Sequence, residues 1–160
     1  MTIWDGFFMA QVGASAALAG LIFVGLSINL TRILALPRIP ERGLQTILIL
    51  LALLIVSSLV LVPGQSSTDL GLEVLVVGGI AWVFSTRLDV GNLRQYQKEH
   101  RKYWVQNAVV GQAALLPYIA GGVSTLAIGF DGLYLLVLAV IFSYLKAIVD
   151  AWILLIEINR

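Results

Sequence analysis

This chain of 160 residues has a formal net charge of +1, and 59% of its residues are hydrophobic while only 12% are charged. Soluble domains usually carry about 25% charged residues, so this composition leaves too little polar surface to cover a water-soluble globule. The absence of cysteine excludes disulfides and thiolate chemistry, and a single histidine, His100, argues against a zinc or haem site within one subunit. We therefore expect a membrane protein without a metal or cofactor.

Five apolar segments approach the length of about 20 residues that a membrane-spanning helix needs. In chain order they cover residues 7–30, 44–62, 70–86, 105–128 and 133–156. Pro63-Gly64 closes the second segment, and a tight turn over residues 129–132 separates the last two. The pattern predicts one all-α membrane domain over residues 1–160, a bundle of five transmembrane helices.

The distribution of Lys and Arg predicts the orientation of these helices. Apart from Lys146, the basic residues lie between segments one and two, between segments three and four, and at the C-terminus, while the alternate loops carry only acidic charge. Loops rich in Lys and Arg stay in the cytoplasm. We therefore expect the N-terminus outside, the C-terminus in the cytoplasm and a cytoplasmic loop over residues 87–104. The N-terminal stretch lacks the basic start of a cleaved signal peptide.

The first segment carries a stripe of small residues on one helical face, namely Gly13, Ala16, Ala17, Gly20 and Ser27. Small side chains at this spacing let helices approach closely in a membrane. The stripe predicts a helix–helix interface, either within one chain or between subunits.

The loop at residues 87–104 is the longest hydrophilic stretch and is mostly basic. Its part from Asn92 onward has a pattern that allows a helix to continue into the cytoplasm. Basic segments beside a membrane attract anionic lipid, so we expect lipid contact here and no nucleic-acid partner.

The fourth segment gathers polar and small residues on one side, which are Asn107, Gly111, Ala114, Tyr118, Gly121, Gly122 and Thr125. Pro117 removes a backbone donor and is expected to kink the helix. Two interpretations stay open: a packing feature, or a broken helix of the kind that transporters use for binding. In the second case Asn107, Pro117 and Tyr118 line the path.

The fifth segment contains a charged stripe within its apolar sequence. Ser143, Lys146, Asp150 and Glu157 follow spacings of three, four and seven residues, so they share one helical face. A charge inside the membrane costs at least about 2.5–3.5 kcal/mol, so this face is expected to look into the bundle, a subunit interface or an aqueous cavity. Lys146 and Asp150 form either a structural ion pair or part of an ion, proton or ligand path.

The loops expected outside the cell carry acidic side chains and no basic ones. Asp5, Asp69 and Asp131 lie in these loops, and Glu73 lies in the third segment near its outer end. In an oligomer these four residues predict an acidic mouth that concentrates cations; the alternative is a simple depletion of basic residues outside. Glu73 is also the expected partner of Gln11.

Residues 7–30, the run Arg-Ile-Leu-Ala-Leu-Pro after them and Leu61-Val-Pro-Gly-Gln65 resemble a group of small bacterial multi-pass inner-membrane proteins. The resemblance covers about the first 65 residues and implies a bacterial inner-membrane location. It carries over no established activity and no site residue. Some members are labelled modulators of a membrane protease, which implies a regulatory role.

These observations favour an oligomeric channel or small transporter for a cation or proton, with Lys146, Asp150 and Glu157 near the path. The alternative is a regulatory or scaffold subunit of a bacterial membrane complex, such as a membrane-protease modulator. An enzyme is not expected, because no nucleophile–base set or metal-ligand set is present. The expected partners are the lipid bilayer and further copies of the chain.

Overall fold

The computed structural model describes residues 3–35, 39–95 and 101–158, and gives only the backbone for residues 92–95, 101–104, 157 and 158. The described residues form helices and turns without a strand. The α-helices are α1 (Asp5–Ile28), α2 (Leu30–Ala35), α3 (Ile39–Val60), α4 (Ser67–Gln95), α5 (Arg101–Ile128) and α6 (Tyr134–Ile158). A 3-10 turn, Gly129–Leu133, joins α5 to α6.

Four stretches of the described chain are long and apolar enough to cross a membrane, namely Asp5–Ile28, Ile39–Val60, Ser67–Gly91 and Val105–Ile156. The last stretch has 52 residues and contains most of α5 and α6. The all-helical prediction is confirmed, and the chain has the composition of a membrane protein. Large apolar side chains face outward on the long helices, for example Phe23, Val76 and Ile148.

The helix boundaries differ from the predicted ones around residues 87–104. The sequence predicts a loop here in which the part from Asn92 onward can be helical; in the structure α4 continues to Gln95 and α5 begins at Arg101. A hydropathy window ends a span where charges appear, whereas backbone hydrogen bonds carry a helix through charged residues. Because α4 extends to Gln95, Asp89 lies within a helix and is buried in the bundle, although the sequence places it in a loop.

Local sequence signals explain the helix ends. The Ser66 hydroxyl accepts a hydrogen bond from the Asp69 backbone N–H at 3.1 Å, which caps the start of α4. Gly129 has φ 74°, the left-handed conformation that ends many helices, and it terminates α5. Asn29 separates α1 from α2, and its side chain donates to the Gly25 carbonyl at 3.0 Å.

Glycines set the close packing of α4 against α5. A Cβ atom added to Gly78 would lie 2.8 Å from the Tyr118 Cβ, and one added to Gly122 would lie 3.1 Å from the Gly71 carbonyl oxygen. Only glycine permits this approach, because any side chain would separate the two backbones.

The two ends of the bundle differ in character. At the Pro63 end, where the turn at Leu61–Ser66 and the 3-10 turn lie, the interior is apolar and includes Leu53, Leu70, Val74 and Leu136. At the opposite end, which we call the Arg42 end, the interior is polar. Trp4 of the chain start contacts Tyr134 of α6, with ring centroids 4.7 Å apart, so α1 begins at the Pro63 end.

Candidate functional site

A cluster of polar side chains from α3, α4, α5 and α6 fills the bundle interior at the Arg42 end. We call it the polar cluster, and its members are Arg42, Gln45, Thr46, Ser85, Asp89, Asn107, Lys146 and Asp150. All of them are buried except Arg42, whose side chain is 15% exposed. The cluster therefore holds two basic and two acidic side chains in a largely water-excluded interior.

Asp150 forms ion pairs with both basic side chains of the cluster, Arg42 and Lys146. Its Oδ1 accepts from Arg42, with Nε and Nη2 each 2.9 Å away, and its Oδ2 accepts from Lys146 one turn earlier on α6. The Thr46 hydroxyl lies 3.0 Å from the same Oδ2. A carboxylate with this set of donors is fully compensated, as a buried charge requires.

A directed chain of hydrogen bonds leads from Lys146 across the bundle to Asp89. The Lys146 ammonium donates to Asn107 Oδ1 at 2.9 Å, and Asn107 Nδ2 donates to Gln45 Oε1 at 3.3 Å. Gln45 Nε2 then donates to Asp89 Oδ1 at 3.1 Å and to Ser85 Oγ at 2.6 Å. Because an ammonium has no acceptor atom, it fixes the orientation of both amides, and each amide turns its donors towards Asp89.

Asp89 differs from Asp150 in its second oxygen. Asp89 is 4% exposed, yet its Oδ2 is buried and has no hydrogen-bond partner among the side chains that the structure describes. Gly111 leaves a space of about one methyl group beside this oxygen, because an added Cβ would lie 3.7 Å from Asp89 Oδ2, 3.8 Å from Lys146 Cε and 3.4 Å from Gln45 Nε2, which are ordinary contact distances. We call this space the Gly111 niche.

Two smaller polar contacts flank the cluster. Tyr118 and Ser143 share a hydrogen bond of 3.0 Å and are both buried, one turn from Lys146 towards the Pro63 end. Trp82 donates to Gln112 Oε1 at 2.6 Å, and Gln112 donates to Thr86 at 3.0 Å, which links α4 to α5.

Most predicted residues of the charged and polar stripes meet at this site. Ser143, Lys146 and Asp150 lie on the inner face of α6, and Asn107 and Tyr118 lie on the inner face of α5. The Glu157 side chain lies outside the described residues. Pro117 is half-buried within α5, which runs as one helix from Arg101 to Ile128. The helix is therefore not broken at Pro117.

The small-residue stripe on α1 is exposed. Gly13, Ala16, Ala17, Gly20 and Ser27 all face outward, and nothing lies within 4 Å of an added Cβ at Gly13 or Gly20. The face of α1 that packs against α3 and α6 instead carries Phe8, Ser15 and Ile22. Among the described residues, the two glycines of the stripe therefore have no close neighbour from another helix.

The four predicted acidic residues all lie at the Pro63 end but have local roles. Asp5 and Asp69 occupy first turns of helices and Asp131 lies in the 3-10 turn, where acidic side chains favour helix starts. Glu73 accepts from Gln65, which the turn after α3 brings close, and not from Gln11 as the sequence suggested. The backbone carbonyl oxygen of Gln11 accepts a hydrogen bond from the Ser15 hydroxyl at 2.6 Å.

Sequence analysis missed five members of the cluster, namely Arg42, Gln45, Thr46, Ser85 and Asp89. Arg42 and Asp89 were assigned to loops because they lie just beyond the apolar segments. Gln45 and Thr46 did carry a signal, since they are adjacent polar residues at the start of an apolar span.

Comparison with known proteins finds no matching family model, no matching curated protein and no matching solved structure.

Proposed function

We propose that this chain is a small membrane transporter for a proton or another cation, with its exchange site in the polar cluster. The observation that carries the proposal is the burial of Asp89, Lys146 and Asp150, which are 4%, 1% and 0% exposed inside an apolar bundle. Ionisable side chains inside membrane helices are rare, face the protein interior or water, and are by default candidates for substrate, ion or proton pathways.

Stability alone is a poor reason for this cluster. Each charge inside a membrane costs at least about 2.5–3.5 kcal/mol, and buried ion pairs can often be replaced by apolar residues without loss of stability. The glycine contacts and the apolar interior already hold α4, α5 and α6 together. A binding role accounts for charges that the packing does not need.

The bundle interior holds the polar cluster at the Arg42 end and apolar side chains at the Pro63 end. This arrangement supports a carrier more than an oligomeric pore lined by Lys146. Lys146 and Asp150 face the interior of one chain, while the outward face of α6 carries apolar residues such as Leu145 and Ile148. Apolar packing closes the interior towards the Pro63 end. We propose that the cluster exchanges its cargo with the solution at the Arg42 end and that α-helix movements open the other side.

The proposal includes five membrane spans, with α5 and α6 crossing separately, in a bacterial inner membrane. The N-terminus lies outside and the Arg42 end faces the cytoplasm. Single cysteines can test this, because the natural chain has none. Thr68→Cys and Asp131→Cys should react with an impermeant thiol reagent added outside whole cells, whereas Ala35→Cys should react only after the membrane is opened. The reverse pattern would overturn the orientation.

We further propose a homo-oligomer joined through the exposed small-residue stripe of α1. The stripe needs a close neighbour in the membrane, and the chain itself provides none there. Native mass spectrometry of the detergent-solubilised protein measures the number of copies, and a monomer would contradict this part of the proposal. Anionic lipid at the basic stretch 87–104 remains an expected partner.

Transport is tested with purified protein in liposomes that contain a pH-sensitive dye. Under an imposed membrane potential, these liposomes should acidify faster than protein-free ones, and parallel assays with sodium and potassium identify the cargo. The variant Asp131→Asn, which alters an exposed acid far from the cluster, should transport at the natural rate. Rates equal to those of protein-free liposomes for all three ions would contradict the transport proposal.

The second candidate is a regulatory or scaffold subunit without transport, such as a membrane-protease modulator. The exposed face of α1 favours it, because a partner protein can occupy that face as well as another copy can. A partner that co-purifies in fixed stoichiometry from the native membrane, together with absent flux, would support this candidate.

A further inference from the structure

We propose that Asp89 is the proton-binding group of the polar cluster, and that its Oδ2 atom in the Gly111 niche receives the proton. The inference rests on the proposed transport function and specifies its cargo. Three independent observations carry it, namely the free oxygen, the space in front of it and the arrangement of charges around it.

The free oxygen distinguishes Asp89 from the other acid. Both oxygens of Asp150 accept from donors, and two cations contact it, so its negative charge is compensated in place. Within the described residues, Asp89 has neither a cation in ion-pair contact nor a partner for Oδ2. A buried carboxylate oxygen without a donor is costly, and a bound proton removes that cost.

The charges around Asp89 oppose each other. The groups around it are Gln45 from α3, Ser85 from its own helix, Asn107 from α5, and Lys146 and Asp150 from α6, while Arg42 of α3 contacts Asp150. Burial favours the neutral acid, whereas the nearby Lys146 favours the carboxylate. With Asp89 ionised the cluster contains two positive and two negative charges; with Asp89 protonated it carries one net positive charge.

A proton fits this site better than a metal ion. A metal ion needs several oxygen ligands, but Gln45 turns both hydrogens of its amide nitrogen towards Asp89 and Ser85, and the Lys146 stem lines the same niche. The atoms beside Oδ2 in the niche are thus an amide nitrogen and an aliphatic carbon, neither of which binds a metal ion, whereas a proton needs only a lone pair of Oδ2. In the binding step, hydronium from the Arg42 end transfers one proton to Oδ2, which forms an O–H bond and leaves a water molecule.

The directed hydrogen-bond chain couples this proton to the ion pair. Protonation removes the negative charge that receives the Gln45 donor, and this changes the charge felt by Lys146 through Asn107 and Gln45. We therefore expect the Lys146–Asp150 contact to change when Asp89 binds the proton. In this proposal Asp89 binds the proton. Lys146 and Asp150 connect α6 to α5 and α3 through Asn107 and Arg42, and these are the helices whose movement would follow.

Two variants test the proposal in the purified full-length protein. Asp89→Asn keeps the shape and the Oδ1 acceptor but cannot take up a proton, so proton flux should fall to the leak of protein-free liposomes. Gly111→Ala places a methyl group in the niche at ordinary contact distances and should reduce flux while the protein stays folded. Gly79→Ala, at a glycine with nothing within 4 Å, is the matched control and should retain flux.

Infrared difference spectroscopy provides a readout that does not depend on transport. Acidified natural protein should gain the carbonyl band of a buried carboxylic acid, and Asp89→Asn should lack it. Retention of this band in Asp89→Asn, or natural proton flux in that variant, would overturn the inference. If the natural protein shows the band but no flux, the transport proposal fails while Asp89 remains the proton-binding group.

Discussion

Replacing Asp150 with asparagine should lower the free energy of unfolding by about 3–5 kcal/mol, the usual cost of breaking a buried ion pair from one side. Asp150 neutralises both Arg42 and Lys146, so its loss leaves two cations close together in the interior. Unfolding in mixed detergent micelles, followed by tryptophan fluorescence, measures the change. Asp131→Asn serves as the control, because that exposed acid lies at the other end and should shift stability by less than about 0.5 kcal/mol.

The contacts in the polar cluster predict that removing Lys146 costs less stability than removing Asp150. In Lys146→Met, Asp150 keeps both contacts with Arg42 and the Thr46 hydroxyl, so the loss should be clearly smaller than in Asp150→Asn. If Lys146 and Asp150 paired only with each other, each single variant would lose stability and the double variant Lys146→Met/Asp150→Leu would largely recover it. The structure predicts only partial recovery, because Arg42 then has no acid partner and must turn to solvent. Equal losses in the two single variants would contradict the role assigned to Arg42.

Replacing Gly78 with valine should destabilise the protein by about 1–3 kcal/mol, the range found for overpacked interiors. The new Cβ would lie 2.8 Å from the Tyr118 Cβ, which is fixed to the backbone of α5 and cannot rotate away. Either α4 and α5 separate, or Tyr118 moves and loses its hydrogen bond to Ser143. The unfolding measurement used for Asp150 detects the loss.

The neighbouring glycine provides a matched control for this variant. Gly79→Val makes the same chemical change in the same helix, but nothing lies within 4 Å of its added Cβ. The two variants share the effects of valine on helix formation, so their difference measures the contact between α4 and α5. Equal stability of Gly78→Val and Gly79→Val would show that these helices are not in close contact at Tyr118.

The structure of the site and its surroundings restricts how the transport that we propose could work. The apolar interior between the polar cluster and the Pro63 end includes Leu53, Leu70 and Leu136. Such packing blocks a hydrated path, so passage requires the helices to move between two arrangements, as in alternating access. The glycine contacts of α4 with α5 are suitable places for such movement, because smooth backbone surfaces can slide.

Much of the architecture follows from the sequence alone. Hydropathy identifies the apolar helices because the membrane selects segments by average polarity, a property that each segment carries by itself. The spacing of Ser143, Lys146 and Asp150 predicts a shared face because helical periodicity is also local. The stripe of Asn107 and Tyr118 on α5 was readable for the same reason, and all of these residues are buried.

Only the tertiary structure decides which polar residues meet. The rotation and height of each helix bring Arg42 of α3 to Asp150, and Gln45 to Asp89, over sequence separations of 108 and 44 residues. The sequence by itself determines the number of apolar segments, the sides of the helices that avoid lipid and the distribution of charge. The identity of the partners depends on packing between helices, since the glycines of α4 and α5 set how closely and at what register the backbones approach.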